Sequence, residues 1–301
     1  MAEFTAKDVQ LLRQRTGVGM MDCKNALSEA NGDMEKAIEI LREKGIAKAA
    51  KKAGRVAAEG LVVAKVKNGV GVVVEVNSET DFVAKNSDFI DFVNSVADTI
   101  LEKNPKDLEE LKSLEMSNGG LTVEKALQEK ILSIGENIQI RRFVRMEGSL
   151  STYVHGGGTI GVMIKFNTDL DGKPEFNEYA KNVAMQVAAV SPQYLNADQV
   201  PAEVLDKEKE ILKQQVINSG KPDNIADRIV EGKINKFYKE VCLLDQQYVK
   251  DSNLTISQYT NDVAKNLGGN IEIVEFVRIE KGEGIEKRSD NFAEEIANMV
   301  K

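Results

Sequence analysis

The chain of 301 residues contains no tryptophan, a single histidine and two cysteines. Cys23 and Cys242 lie far apart and form no Cys-x-x-Cys, which argues against a disulfide framework or a thiolate metal site and fits a reducing compartment. His155 is the lone imidazole, so a His-x-x-x-His zinc pair cannot exist and a Ser-His-Asp triad would have to use that ring. No Gly-x-x-x-x-Gly-Lys-Ser/Thr loop occurs, which excludes an NTPase of that kind. Gly156-Gly157-Gly158 could imitate a phosphate loop, but it falls at a hairpin tip rather than before a helix. No apolar run approaches the ~20 residues of a membrane helix. The start, Met-Ala-Glu-Phe-Thr-Ala-Lys-Asp, has no basic stretch followed by an apolar core. A net charge of −8 argues against a broad nucleic-acid footprint, which needs clustered Lys and Arg. The expectation is a cytoplasmic protein without a membrane segment, catalytic site or cofactor, and without direct nucleic-acid contacts.

What the sequence does have is periodic pattern. Thr5-Ala-Lys-Asp8 reads as a capping-box variant ahead of a stripe at Val9, Leu11 and Leu12. Gly17-Val-Gly19 breaks that helix, and Cys23, Ala26, Leu27 and Ala30 mark a second one from Met20. Asn31-Gly32-Asp33 separates it from a third, with Met34, Ala37, Ile38 and Leu41 inward and Gly45 placed to stop it. Three short helices can bury one small common core. Lys44, Lys48, Lys51, Lys52 and Arg55 then read as a solvated helical linker, or as a basic patch for an acidic partner or RNA.

From Gly60 the period changes to that of strands. Leu61–Val66 and Val70–Val76 flank Lys67-Asn68-Gly69, a type I′ hairpin signal. An amphipathic helix follows, with Phe89, Val93, Val96, Ala97 and Ile100 on one side. After a polar stretch over 104–120, a helix is expected over 122–133 and a strand over 138–146. A second hairpin pairs Leu150–Val154 with Ile160–Asn167, and Tyr179, Val183, Val187 and Val190 mark the helix after it.

These elements repeat. Ile160-Gly-Val-Met-Ile-Lys-Phe-Asn167 lines up with Val70-Gly-Val-Val-Val-Glu-Val-Asn77. Gly268-Gly-Asn-Ile-Glu-Ile-Val-Glu-Phe-Val-Arg-Ile-Glu280 lines up with Gly135-Glu-Asn-Ile-Gln-Ile-Arg-Arg-Phe-Val-Arg-Met-Glu147. The predicted core is two copies of a β-β-α-α-β unit, an α+β arrangement of small antiparallel sheets with helices on one face. The expected organisation is a three-helix domain and linker over 1–54 and a first core unit over 55–147. A second core unit covers 148–194 and 237–281, interrupted by a helical hairpin over 195–236 that turns at Ser219-Gly-Lys-Pro222. A C-terminal module over 282–301 contains a short helix with Phe292, Ile296 and Met299 on one side.

The stretch most open to function is Glu75–Asn86. Ser78-x-x-Asp81 can cap a helical turn and set Glu79 and Asp81 near its start, where carboxylates are favoured. In one alternative Phe82 turns into the core and the segment serves folding alone. The repeat weighs against this. The second copy has Thr168-Asp169-Leu170 and then Asp171-Gly-Lys-Pro174, with no phenylalanine.

Ser78-Glu-Thr-Asp-Phe-Val-Ala-Lys-Asn86 resembles the signature segment of the elongation factor Ts family. Thr16-Gly-Val-Gly-Met-Met-Asp-Cys-Lys24, Lys51–Gly60, Gly135-Glu-Asn-Ile138, Tyr153-Val-His-Gly156 and Gly282-Glu-Gly-Ile-Glu-Lys287 are similar to further family segments, so the likeness spans nearly the whole chain. It implies an N-terminal domain of the ubiquitin-associated kind and a guanine-nucleotide exchange role toward elongation factor Tu. By this likeness Thr80, Asp81, Phe82 and Val83 dislocate the Mg²⁺ of Tu, with Phe82 as a wedge. Arg13, Met20 and Met21 would touch the nucleotide domain of Tu, as would the C-terminal helix, while the region of His155 would face another Tu domain. A homodimer, or two copies bound to two of Tu, is compatible with the family. Asn182 and Gln186 depart from it, since relatives often carry histidines there. The competing expectations are an adaptor that holds peptides or ubiquitin-like partners on its three-helix domain, and a hydrolase built on His155.

Overall fold

The computed structural model describes residues 4–219 and 223–286, with backbone alone for 223–227. The expected turn at Ser219-Gly-Lys-Pro222 lies, beyond Ser219, outside the described residues, as does the expected helix over 291–300.

Helix α1 (Ala6–Thr16) begins with the expected capping box. The Thr5 hydroxyl accepts the Asp8 N–H, and Asp8 accepts the Thr5 N–H at 2.7 Å. Gly17 ends it in the left-handed conformation. Helices α2 (Met20–Glu29) and α3 (Met34–Lys52) follow, the latter capped by Asp33. Leu12, Cys23, Ala26, Leu27, Ala37 and Leu41 form their shared core.

Gly45 does not stop α3, which continues for seven residues beyond it to Lys52. It is a packing position instead, facing the Gln128 carbonyl and Leu132 of a later helix. The lysine-rich segment is thus the end of α3. Lys44 pairs with Glu29 at 2.6 Å and Lys48 with Asp22 at 2.9 Å, so part of the basic charge is neutralised within the protein.

Strands β1 (Glu59–Lys67) and β2 (Val70–Ser78) are joined by Asn68 and Gly69, both at positive φ as a type I′ turn requires. Next come α4 (Asp81–Ala84), α5 (Ser87–Lys103), α6 (Leu108–Ser113), α7 (Val123–Ile134) and β3 (Gln139–Glu147). The sheet order is β1-β2-β3, all antiparallel. Phe89, Val93, Val96 and Ile100 of α5 pack on Val72, Val74 and Val76 of β2 in one apolar core.

The second unit repeats the plan with β4 (Ser149–His155), β5 (Ile160–Thr168) and α8 (Pro174–Val190). The hairpin helices α9 (Ala202–Asn218) and α10 (Asp223–Val241) come next, then the two-stranded β6 (Gln247–Tyr248) and β7 (Asp251–Thr255). Helix α11 (Ile256–Leu267) and β8 (Ile271–Glu280) complete it, with sheet order β4-β5-β8. A β-bulge interrupts the ladder between Glu75 and Val76 in the first sheet, and between Lys165 and Phe166 in the second. Those are equivalent positions, so the repeat extends to backbone irregularities. The fold is therefore α+β, as expected. The sheet faces turned away from the helices meet each other through Val62, Val73 and Met146 on one side and Met163 and Ile279 on the other.

Asn182 and Gln186, the two departures on α8, are buried and bonded within the protein. Asn182 donates to the Tyr259 hydroxyl at 3.1 Å and accepts from Lys250. Gln186 donates to the Gln247 carbonyl at 3.0 Å and accepts the Val249 N–H at 2.9 Å. Their bonds tie α8 to α11 and to the β6–β7 hairpin. Among the described residues, no helix is long and apolar enough to cross a membrane.

Candidate functional site

At the end of β2 the chain leaves the sheet and makes a single helical turn, α4. The expected cap, Ser78, does not serve. As the last strand residue its side chain is buried, and its hydroxyl donates to the Thr80 carbonyl at 3.0 Å. Thr80 caps the turn, accepting the Val83 N–H on its own hydroxyl. This register decides which apolar residue enters the core. Val83 does, at 9% exposure, while Phe82 stands out at 81%. Phe82 is the most exposed large apolar side chain among the described residues, so the alternative in which it turns into the core fails. Burial would be worth ~1.5–3 kcal/mol to such a ring, and the fold forgoes it.

A lone exposed apolar residue is ordinary; an exposed one on an anchored turn is less so. Glu136, in the loop after α7, accepts two bonds from Thr80, from its N–H at 3.0 Å and its hydroxyl at 2.6 Å. In the opposite direction Glu79 accepts the Asn137 N–H at 2.6 Å. The Asn137 side chain donates to the Arg55 carbonyl at 2.7 Å, which joins the segment before β1 to the same knot. Asp81 is exposed beside Phe82, and its pairing with Lys85 at 2.7 Å holds its carboxyl below the usual aspartate range. The turn thus presents an anion and an aromatic ring side by side.

The other residues singled out by the sequence divide into two places. Gly17, at the α1–α2 turn, lines one cleft with Phe82, Val83, Ser133 and Glu136. Exposed Met20 and Met21 begin α2 just after it, and Arg13 is exposed one turn before it on α1. Of this stretch only Gly17 lines the cleft with the Thr80–Val83 turn; Arg13, Met20 and Met21 are exposed on the helices that flank Gly17. His155 is not among them. It sits at the β4–β5 hairpin, exposed, with its Nδ1 3.1 Å from the Tyr153 hydroxyl. Among the described residues, no cluster of His, Cys, Asp and Glu could hold a metal ion.

A second anchor was not foreseen. The Glu75 carboxylate is fully buried and accepts from Arg142 at 2.6 Å, the Gly282 N–H at 2.7 Å, Asn77 at 3.0 Å and Arg141 at 3.1 Å. Burial alone would raise its pKa. These hydrogen bonds, led by that of Gly282, outweigh it and hold the carboxyl below the ordinary glutamate range. With the Lys281–Glu59 pair at 2.6 Å, they lock the chain after β8 onto the first unit. Glu136 was likewise missed, and Glu79, expected near the start of the turn, accepts the Asn137 N–H instead. A signal for Glu136 existed: it is the one position of Gly-Glu-Asn-Ile at which the second copy, Gly-Gly-Asn-Ile, differs.

A family model described as Elongation factor TS matches residues 79–283, a span that opens at the anchored turn and closes beside the Glu75 knot. The Elongation factor Ts of Syntrophotalea carbinolica is 48% identical, over 99% of this chain and 100% of that protein. That of Clostridium perfringens is 51% identical over 98% of this chain and 99% of its own length. That of Clostridioides difficile is 50% identical, with both chains covered in full. Such agreement from end to end means that the chain belongs to the elongation factor Ts family.

Proposed function

We propose that this protein is the guanine-nucleotide exchange factor of elongation factor Tu in translation elongation. It would bind Tu with GDP in place, and the Thr80–Val83 turn would enter beside the Mg²⁺ and phosphate site. Phe82 would wedge between side chains of the nucleotide domain while Asp81 disturbs the shell of the ion. Loss of Mg²⁺ loosens the β-phosphate and GDP leaves. Arg13, Met20 and Met21, on the helices either side of Gly17, would widen this contact. His155, far along the chain in the second unit, would meet a different Tu domain.

The observation that carries the proposal is the Phe82 ring, 81% exposed on a turn whose neighbours are pinned from two sides. Linkage sets how much the contact has to supply. An agent that weakens GDP binding must itself be bound less tightly by the same factor when GDP is present. A ~1000-fold loosening requires about 4 kcal/mol of coupling. One wedged phenylalanine supplies ~1.5–3 kcal/mol by burial, so the surrounding surface has to share the work. No bond is made or broken by the factor itself, and no cofactor is called for.

The organisation into 1–54, 55–147, 148–194 with 237–281, 195–236 and 282–301 is part of this reading. The adaptor alternative requires the first ~50 residues to work alone. Against it, Leu132 of α7 completes the core of the three helices, and Arg42 pairs with Glu129 of α7 at 3.1 Å. The direct test is release of labelled GDP from Tu, with and without this protein. Acceleration by a catalytic amount is expected, and an unchanged rate contradicts the proposal.

A further inference from the structure

The exchange reading rests on a one-turn helix that holds an aromatic ring in water. A single turn has almost no stability of its own, since nucleation fixes several dihedrals for one hydrogen bond. Phe82 itself, 81% exposed, adds little packing. What keeps the turn folded must come from outside it. Val83 is one anchor, buried in the first core. The other is at Thr80, and there the geometry is specific. The Thr80 hydroxyl carries one hydrogen and has two partners, Glu136 at 2.6 Å and the Val83 N–H at 3.4 Å. An ionised carboxylate only accepts. The hydroxyl hydrogen must therefore point to Glu136, which leaves an oxygen lone pair for Val83. Glu136 thus sets the direction of the cap, and through the Thr80 N–H it also holds the backbone that enters the turn.

The repeat supplies an internal control. In the second copy Asp169 accepts the Asn270 N–H at 2.7 Å, just as Glu79 accepts that of Asn137 at 2.6 Å. That half of the knot is common to both copies and belongs to the fold. The other half is not. Thr80 corresponds to Leu170, which is buried at 2% exposure, and Phe82 corresponds to Gly172. Glu136 corresponds to Gly269, where a Cβ would stand 2.4 Å from Leu170. The copy without a projecting ring fills the place with leucine and has no room for a carboxylate. The copy with the ring has the carboxylate.

We propose that Glu136 is a positioning residue for exchange: its carboxylate orients the Thr80 cap and holds the Phe82 turn in its binding conformation before any partner arrives. This rests on the exchange reading for its consequence, but its structural half can be measured without Tu. A partner that needs the ordered turn binds more weakly in proportion to the fraction ordered. Glu136→Ala should then slow GDP release at limiting factor by about tenfold, taking the turn to be ordered about a tenth of the time. Glu136→Gln, which keeps a single acceptor oxygen, should fall between.

Two measurements test this separately. Amide hydrogen exchange in the free protein should speed up about tenfold at Val83 and Ala84 in Glu136→Ala, with β2 amides such as Val74 unchanged as a check on the fold. Unaltered Val83 exchange overturns the proposal, whatever Tu does. The second is a cycle with Phe82→Ala on GDP release. Loss from Glu136→Ala should vanish once the ring is gone. A loss that persists undiminished in Phe82→Ala shows that Glu136 acts other than through the ring, and the proposal fails. Should Phe82→Ala leave GDP release at the rate of the unaltered protein, the exchange reading falls, and the clamp is then judged by Val83 alone.

Discussion

Gly71 of β2 and Gly161 of β5 hold the same place in the two repeats, and each admits the opposite sheet. A Cβ on Gly71 would stand 2.4 Å from Met163 Sδ and 2.8 Å from Leu150 Cδ1. One on Gly161 would stand 2.5 Å from Val62 Cγ1 and 3.1 Å from Val73 Cγ1. Met163 and Val73 are themselves equivalent, so the two halves approach each other through matched gaps. The contact fixes the first unit, and with it the Phe82 turn, relative to the second.

This pair yields a graded expectation. Overpacking a tight core costs about 1–3 kcal/mol. Gly161→Ala should lie toward the upper end, because the obstructing groups are stiff β-branched side chains on strands. Gly71→Ala should lose less, since the thioether of Met163 can swing aside. Urea unfolding measures both; a greater loss at Gly71 contradicts the argument.

Gly45 leads the other way. It lies within α3, and a Cβ there would meet the Gln128 carbonyl and Leu132 at 3.5 Å, an ordinary contact. Gly45→Ala should therefore stabilise by about 0.5–1 kcal/mol through helix propensity. The urea midpoint should rise; a fall would mean that α3 and α7 pack too closely for a methyl group.

Periodicity and turn chemistry made much of the fold legible. The Thr5–Asp8 capping box and the Asn68-Gly69 hairpin depend on neighbours in sequence and the aligned strands on the internal repeat, and the structure has each of them. Gly45 misled because a helix-stopping glycine and a helix-packing glycine look alike until the facing helix is known. The stretch over 104–120 hides α6, which a single side-chain cap from Asp107 starts. Helix α11 follows a long insertion that separates it from the rest of its repeat and hides its place in the pattern. At the site, the exposure of Phe82 turned on whether Ser78 or Thr80 caps the turn, a difference of two residues. The partners that settle it, Glu136 and Asn137, are more than fifty residues away in sequence.

The Glu75 knot gives a pH-dependent expectation. Glu75→Gln leaves Arg141 and Arg142 without their buried anion and should cost about 2–3 kcal/mol, less than a fully buried pair because both guanidinium groups stay partly in water. Its carboxyl titrates below the ordinary glutamate value in the folded protein. Its contribution is therefore complete above the unfolded glutamate value and disappears as pH falls through the lowered native one. The stability gap between the unaltered protein and Glu75→Gln should be widest near neutrality and narrow in acid. A gap that widens below pH ~4 would contradict the sign.

Cys23 and Cys242 are both buried, and burial pushes both thiols up, Cys242 to about 11. Thiolate is the reactive form, so native protein at neutral pH should resist a thiol reagent for as long as it stays folded. Both cysteines should react promptly in denaturant. Fast labelling of either one in native protein would show that its cover opens locally.

The measurement closest to the centre of the account is the rate of labelled GDP release from Tu with Phe82→Ala against the unaltered protein, with urea stability recorded on the same samples. The ring buries little in its own fold, so stability should stay within about 0.5 kcal/mol. GDP release at limiting factor should slow by tenfold or more, the rate equivalent of the ~1.5–3 kcal/mol that burial of the ring would supply. Equal release rates on an intact fold would show that the exposed phenylalanine is not what opens the partner's nucleotide site.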